Sequence, residues 1–266
     1  PAVPHQGRSV RAGRLLVDGR SLRETAAAQD GRSPVAEDDL TALLGPALGD
    51  VRAVDPRAAW PDAGHLAADA ETGSDLAAIA ERILWQPGAW LPVGAAGLTE
   101  ALAEAAFGPR QPVAVAPPAA PALFVVGSRN ARTRAQVAAL DARGVPRWDG
   151  AGDAPVPAGD LVLTGPDGAA GERRDPDAVA AQLAAAAQRL LRRMRPGLLV
   201  VTGGDTAQAL LQALQVPALE VLDEVRPGIV RARLAVDGRD LTLIGKAGGF
   251  GGDTLFAELA DWCRAA

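Results

Sequence analysis

Lys246-Ala247-Gly248-Gly249-Phe250-Gly251-Gly252-Asp253-Thr254 follows an apolar run, Leu241-Thr242-Leu243-Ile244, and leads into a helix-like segment ending near Cys263. A glycine cluster between strand and helix lets bare backbone N–H groups approach an anion, and a helix N-terminus adds partial positive charge. The chemistry this predicts is phosphate binding. The same pattern occurs upstream, where Leu198-Leu199-Val200-Val201-Thr202 leads into Gly203-Gly204-Asp205-Thr206 and a helix-like run to Leu214. A third turn, Gly127-Ser128-Arg129-Asn130, follows another apolar run. Each turn alone is also what an ordinary βα connection with a capping Ser, Thr or Asp looks like. Together the three point to a nucleotide held in the crevice of an α/β sheet.

Lys246 is the single lysine among 27 basic residues. A compact ammonium differs chemically from the guanidinium that is otherwise the default here, so Lys246 is expected to neutralise a phosphate oxygen; the competing reading is a solvated strand end. Asp205 is read as the N-cap of its helix, with water-mediated support of Mg²⁺ as the alternative. Near the start, Gly7-Arg8 can offer a fork-shaped donor to a substrate carboxylate, or belong to a proline-bent surface loop. Within Asp69-Ala70-Glu71-Thr72-Gly73-Ser74-Asp75, Thr72 or Ser74 caps the helix that follows and the acids complement its dipole. Glu37-Asp38-Asp39-Leu40 reads as another charged helix start, and Gly94-Ala95-Ala96-Gly97-Leu98 precedes a third helix.

The elements that must position these residues are clearest in the second half. Strands are expected at 123–127, 161–164, 198–202, near 218–222, at 229–236 and at 241–245; helices at 132–142, 176–194, 205–214 and 253–263. Alternation of strand and helix predicts parallel, crossover-connected pairing. In the first half, Arg14 to Leu22 reads as a hairpin with Asp18-Gly19 at its turn, and 75–84 as a helix. Pro112 to Pro121 is proline-spaced without helical periodicity, as an extended connector would be. The organisation expected is α/β with two domains: a substrate-side domain at 1–111, a linker at 112–121, and at 122–266 a nucleotide-binding domain with a mainly parallel sheet flanked by helices.

Composition removes other classes. A net charge of −5 supplies no basic field for nucleic acid or an anionic membrane surface. Apolar runs of about 18 residues are missing. One cysteine, with nothing in the chain to pair with, fits a reducing cytoplasm. Two histidines sixty positions apart, His5 and His65, give no metal-ligand spacing, so no metal site is expected in the protein itself. The P-loop pattern fails at Asp240 and Ala247, and a G-x-G-x-x-G begun at Gly249 fails at Thr254, which disfavours P-loop kinases and nicotinamide oxidoreductases.

In order along nearly the whole chain, the residues resemble the four-carbon acid sugar kinases, a family long catalogued as a domain of unknown function. The match runs through Pro1-Ala2-Val3-Pro4, Gly7-Arg8, Gly13, Arg23-Glu24-Thr25, Asp69 to Thr72, Asp75-Leu76, Gly94, Gly97-Leu98, Val126-Gly127-Ser128, Thr133, Gln136, Gly203 to Thr206, Pro227-Gly228 and Lys246 to Gly251. The resemblance implies an ATP-dependent kinase, using Mg²⁺, that phosphorylates the terminal hydroxyl of a threonate, erythronate or 3-oxo-tetronate. It implies a substrate domain and a nucleotide domain closing over a cleft. Ser128, Gly203, Gly204, Asp205, Thr206 and Gly249 would line the ATP site beside Lys246 and Gly248, with Gly7 and Arg8 on the sugar-acid side. It names no catalytic base, and it leaves room for a homo-oligomer.

The chain departs from the family at Val3, Val10, Ala95, Asp205 and Ala247. Members also begin with an Asp-Asp-Leu-Thr-Gly-Ala segment that Pro1 is expected to follow; Asp38-Asp39-Leu40-Thr41-Ala42 has the wrong position and no preceding apolar strand to replace it. The alternative reading is therefore a non-catalytic, nucleotide- or sugar-acid-binding remnant.

Overall fold

The computed structural model describes residues 1–25, 28, 34–109, 116–128, 130–152, 157–165 and 175–265. Of the connector, 112–115 lie outside the described residues, as does Arg129 of the first glycine turn. The chain forms two compact units, Pro1–Pro112 and Val113–Ala266.

The second unit is built on one seven-stranded sheet. Its strands are β6 (Ala122–Val126), β7 (Arg147–Trp148), β8 (Leu161–Thr164), β9 (Leu198–Thr202), β10 (Glu220–Arg226), β11 (Ile229–Val236) and β12 (Arg239–Lys246), in the order β10-β11-β12-β9-β6-β8-β7. From β12 to β7 every pairing is parallel, while β10 and β11 extend the sheet as an antiparallel edge. Parallel neighbours need helical crossovers, and α4 (Ala131–Asp141), α5 (Pro176–Met194), α6 (Gly204–Ala213) and α7 (Leu255–Arg264) supply cover for both faces.

Strand alternation decides which side chain meets which helix pair. Leu123, Val125, Leu199 and Val201 pack with Leu183, Leu190 and Leu210 of α5 and α6. Phe124, Leu198, Val200 and Ile244 pack with Val137, Leu140, Phe256 and Leu259 of α4 and α7. Because both faces are covered, β6 and β9 are buried at every residue, which is why β6 reads as an unbroken apolar run and β9 as one up to its closing Thr202.

The first unit is assembled from smaller pieces. An antiparallel meander joins β1 (Arg8–Arg11), β2 (Arg14–Val17) and β3 (Arg20–Ser21), and β4 (Val51–Val54) pairs in parallel with β5 (His65–Ala68). The β2–β3 turn places Asp18 and Gly19 both at positive φ, as expected of an Asp-Gly hairpin turn. Among the described residues, three α-helices complete it: α1 (Leu40–Leu48), α2 (Gly73–Trp85) and α3 (Ala96–Phe107). The core is formed by Ala2, Val10, Leu40, Val51, Ala67, Ala70, Leu76 and Ile79. The strands β4, β5 and β7 are too short for their periodicity to be read along the chain.

Helix starts follow the acidic signals. Asp39 caps α1 by accepting from Thr41 and Ala42, and Thr72 caps α2 in a reciprocal capping box with Asp75. Among the described residues no helix is long and apolar enough to cross a membrane.

Candidate functional site

The order of the sheet brings the three glycine turns together. After β6 the chain runs to the edge strand β7, returns inward to β8 beside β6, then crosses over to place β9 on the opposite side of β6, with β12 next to β9. The carboxyl ends are level, with Val126 and Lys246 both in register with Thr202. The reversal between β6 and β9 is a topological switch point, where loops diverge and leave a crevice.

The turns touch. Gly127 N–H donates to the Thr202 carbonyl at 3.2 Å, Ser128 N–H donates to Thr202 Oγ1 at 3.3 Å, and Gly203 N–H donates to the Lys246 carbonyl at 3.2 Å. Glycine is required by the spacing: a Cβ on Gly127 would overlap Thr206 Oγ1 and stand 2.8 Å from Thr206 Cβ, and one on Gly248 would overlap Ser128 Oγ. Gly203 has φ 93°, a backbone region closed to most side chains.

Gly203, not Asp205, is the N-cap of α6, and Asp205 lies inside the helix, in its first turn. The cap reading of Asp205 is thus corrected. Its cause is the positive φ at position 203, which starts the helix earlier than the Asp pattern suggests. Since the cap residue has no side chain, the first-turn N–H groups of α6 meet neither an intrahelical acceptor nor a capping oxygen from Gly203. Ser128, Gly203 and Gly248 are partly buried, while Gly204, Asp205 and Gly249 are exposed. An anion arriving over these turns would therefore meet donors and a helix dipole of the right sign.

Lys246 has a different position from the one its charge suggested. It is buried at 4% exposure, at the end of β12. Its ammonium donates to Thr133 Oγ1 at 3.1 Å and to the carbonyls of Gly248 at 3.0 Å, Ala247 at 3.3 Å and Phe250 at 3.3 Å, with the Phe256 ring 5.7 Å away. Burial, helped by the nearby Arg132 charge, lowers its pKa to about 8. The cation thus gathers the loop's carbonyls from inside the fold.

Two further residues join Lys246 in this work. From α4, Thr133 Oγ1 donates to the Gly248 carbonyl at 2.8 Å, and Gln136 Nε2 donates to the carbonyls of Phe250 at 3.1 Å and Gly252 at 2.8 Å. Both are fully buried polar residues one helical turn apart. That inward polar pair was the available signal in the sequence, though nothing there said which loop it would hold. Beside the loop whose carbonyls are pulled inward lies an open depression of about 410 Å³ bounded by Asn130, Ala131, Arg132, Gly249 and Asp253.

In the first unit, Gly7 ends a short 3₁₀ turn in the left-handed conformation, and Arg8 opens β1 on the surface, donating to Gln6 Oε1 at 3.2 Å. The acidic residues nearby are already engaged. Asp69 accepts from the N–H groups of Ala12 and Gly13 at 2.7 and 2.8 Å, Asp38 accepts from Ser21 and Arg14, and Asp75 accepts from Thr72 and Arg57. The Ser21 hydroxyl, with Arg14 beside it, holds Asp38 below the usual carboxylate range. Burial opposes ionisation of Asp75, but the Thr72 and Arg57 bonds outweigh it and its pKa is also lowered. Among the described residues no group of three or more His, Cys, Asp or Glu side chains is placed to hold a metal ion.

A family model described as a sugar-binding N-terminal domain matches residues 1–102, and one described as a nucleotide-binding C-terminal domain matches 158–256. The D-threonate kinase of Bordetella bronchiseptica is 32% identical over 290 residues, covering 99% of this chain and 70% of that protein. The 3-oxo-tetronate kinase of Cupriavidus necator is 29% identical over 307 residues, covering 97% of this chain and 69% of that one. A crystal structure of a Haemophilus influenzae protein has the same fold, with a TM-score of 0.64 at 19% identity over 100% of this chain and 72% of its own. With residues along almost its full length matched in this way, the chain belongs to the four-carbon acid sugar kinase family.

Proposed function

We propose that the chain is an ATP-dependent kinase acting on the terminal hydroxyl of a four-carbon sugar acid of the threonate, erythronate or 3-oxo-tetronate class, and that the second unit binds the nucleotide. The observation that carries this reading is the meeting of three glycine turns at one switch point. Ser128, Gly203, Gly204, Thr206, Gly248 and Gly249 line the polyphosphate; the Ser128 and Gly203 amides are engaged in joining the turns, so the first-turn amides of α6 and the Ser128 hydroxyl do the holding, with the N-termini of α4 and α6 adding positive potential. Lys246 acts from beneath, as the buried cation that keeps the 247–250 loop in its phosphate-facing form.

Phosphoryl transfer is governed by positioning and charge stabilisation, which is what fixed amides in a crevice supply. The site fits Mg²⁺ arriving on ATP better than a resident ion, because Asp205 offers one carboxylate from the first turn of α6 and Mg²⁺ is commonly held by one or two carboxylates plus phosphate oxygens. Bound there, Mg²⁺ would neutralise phosphate charge. In the first unit, Arg8 takes the carboxylate of the sugar acid through its guanidinium fork, with Gly7 giving it access.

Calorimetric titration with ATP and ADP in the presence of Mg²⁺, followed by a coupled assay for ADP release over a panel of four-carbon acids, tests this. Binding with turnover on at least one acid is expected. Binding without turnover on any acid would favour the binding-only reading, and no binding at millimolar nucleotide would overturn the assignment of the crevice.

A further inference from the structure

Among the described residues, the depression beside the 247–250 loop is lined by one cation, and that cation is exposed rather than drawn into the interior. Arg132 is the second residue of α4, and its guanidinium crosses to Asp253, just ahead of α7, with Nη1 to Oδ1 at 2.7 Å. Both side chains are open to solvent, at 47% and 62% exposure. Both line the same depression as Asn130 and Gly249, and Arg132 is the single cation among its described lining residues.

Lys246 cannot serve as the phosphate's cation without abandoning four oxygens that it holds in the interior. Arg132 is under no such constraint. An exposed ion pair is weak, and a guanidinium exchanges a single carboxylate readily for a polyphosphate that offers more charge and two oxygens at fork spacing. Asp253, left in place, sets a negative charge against an incoming anion.

The geometry points to the Arg132–Asp253 pair as a placeholder for the nucleotide: Arg132 leaves Asp253 for phosphate oxygens when the nucleotide enters, and Asp253 restrains affinity in the free protein. This rests on the nucleotide reading of the crevice and adds a phosphate ligand on α4 together with a competitor for it. The depression's size, about 410 Å³, lies within the usual range for small-molecule sites.

The test is calorimetric titration of ADP and ATP into the full chain, wild type and the variants R132Q, R132K, D253N and R132Q/D253N, at one ionic strength. R132Q should weaken both nucleotides tenfold or more, R132K should recover part of the loss, and D253N should tighten binding several-fold. In the double variant the gain from D253N should shrink to the small part that comes from removing the Asp253 charge alone, because no guanidinium remains to be released. Melting temperatures close to wild type, expected for so exposed a pair, show that the variants fold. R132Q binding within twofold of wild type, or D253N binding more weakly than wild type, would overturn the inference while leaving the nucleotide site standing. Failure of the wild type to bind either nucleotide would instead remove the nucleotide reading itself, and this inference with it.

Discussion

The two units spend their polar residues differently. In Val113–Ala266 a continuous sheet with covered faces provides the rigidity, and the glycine turns at its carboxyl edge are tied to one another through backbone groups. In Pro1–Pro112 the strands are two to four residues long, and carboxylates do the joining: Asp69 ties the β1–β2 turn, Asp38 ties Ser21 and Arg14, and Asp75 ties α2 to Arg57. An acidic cluster in a small-element unit is therefore structural by default. Glycines after long buried strands are the ones to which the proposed nucleotide role falls.

The strongest way to break this contrast is Gly127→Val. The new side chain must displace Thr206, whose Oγ1 occupies the place of the first added carbon, so the β6 and α6 turns can no longer close together. Nucleotide binding should fall below detection by calorimetry, while the first unit stays folded by proteolysis. Retained binding would mean the turns do not act as one site.

The mirror experiment is Asp75→Ala in the first unit. It removes the acceptor for the N–H groups of Glu71 and Thr72 and for Arg57, and should cost about 2 kcal/mol of stability, from the loss of a capping box and the stranding of partly buried donors. Chemical denaturation reads the loss. Nucleotide affinity should not change.

Lys246→Met sharpens the comparison inside the second unit. With the cation gone, carbonyls 247, 248 and 250 lose their common donor, and nucleotide affinity should fall about tenfold by loosening of the loop, an effect of ~1.4 kcal/mol. The pH dependence carries a signature. As pH rises through about 8, Lys246 loses its proton and wild-type affinity should decline. Stability moves oppositely. The folded pKa is depressed, so between about 8 and the usual lysine range the unfolded chain holds the extra proton, and this residue's contribution to stability rises with pH. Lys246→Met should flatten both trends, which paired titrations and denaturation curves on either side of the lowered pKa would check.

The smallest effect belongs to Arg11→Ala. Its partner Glu71 is also on the surface, and exposed ion pairs add little. Melting temperature and nucleotide binding should both match wild type, and a clear destabilisation would show that the first unit relies on surface pairs as well as on its half-buried ones.

Much of this protein was legible along the chain. Apolar runs such as 198–201 marked strands that alternate with helices, and the glycine clusters after them marked turns able to face an anion. Asp39 and Thr72 announced helix starts through local hydrogen bonds that sequence spacing alone can specify. These features are readable because their physics is confined to a few neighbouring residues. The order of the strands is not confined in that way: only the packed sheet put β9 between β6 and β12 and so made one crevice from turns far apart in the chain. The same holds for charge. Sequence located Lys246 and Asp205, but burial turned the lysine toward loop carbonyls, a positive φ at Gly203 moved the helix cap, and α4 meeting the start of α7 joined Arg132 to Asp253. A side chain's charge is set by its type, whereas the partner it neutralises is chosen by what the fold brings within reach.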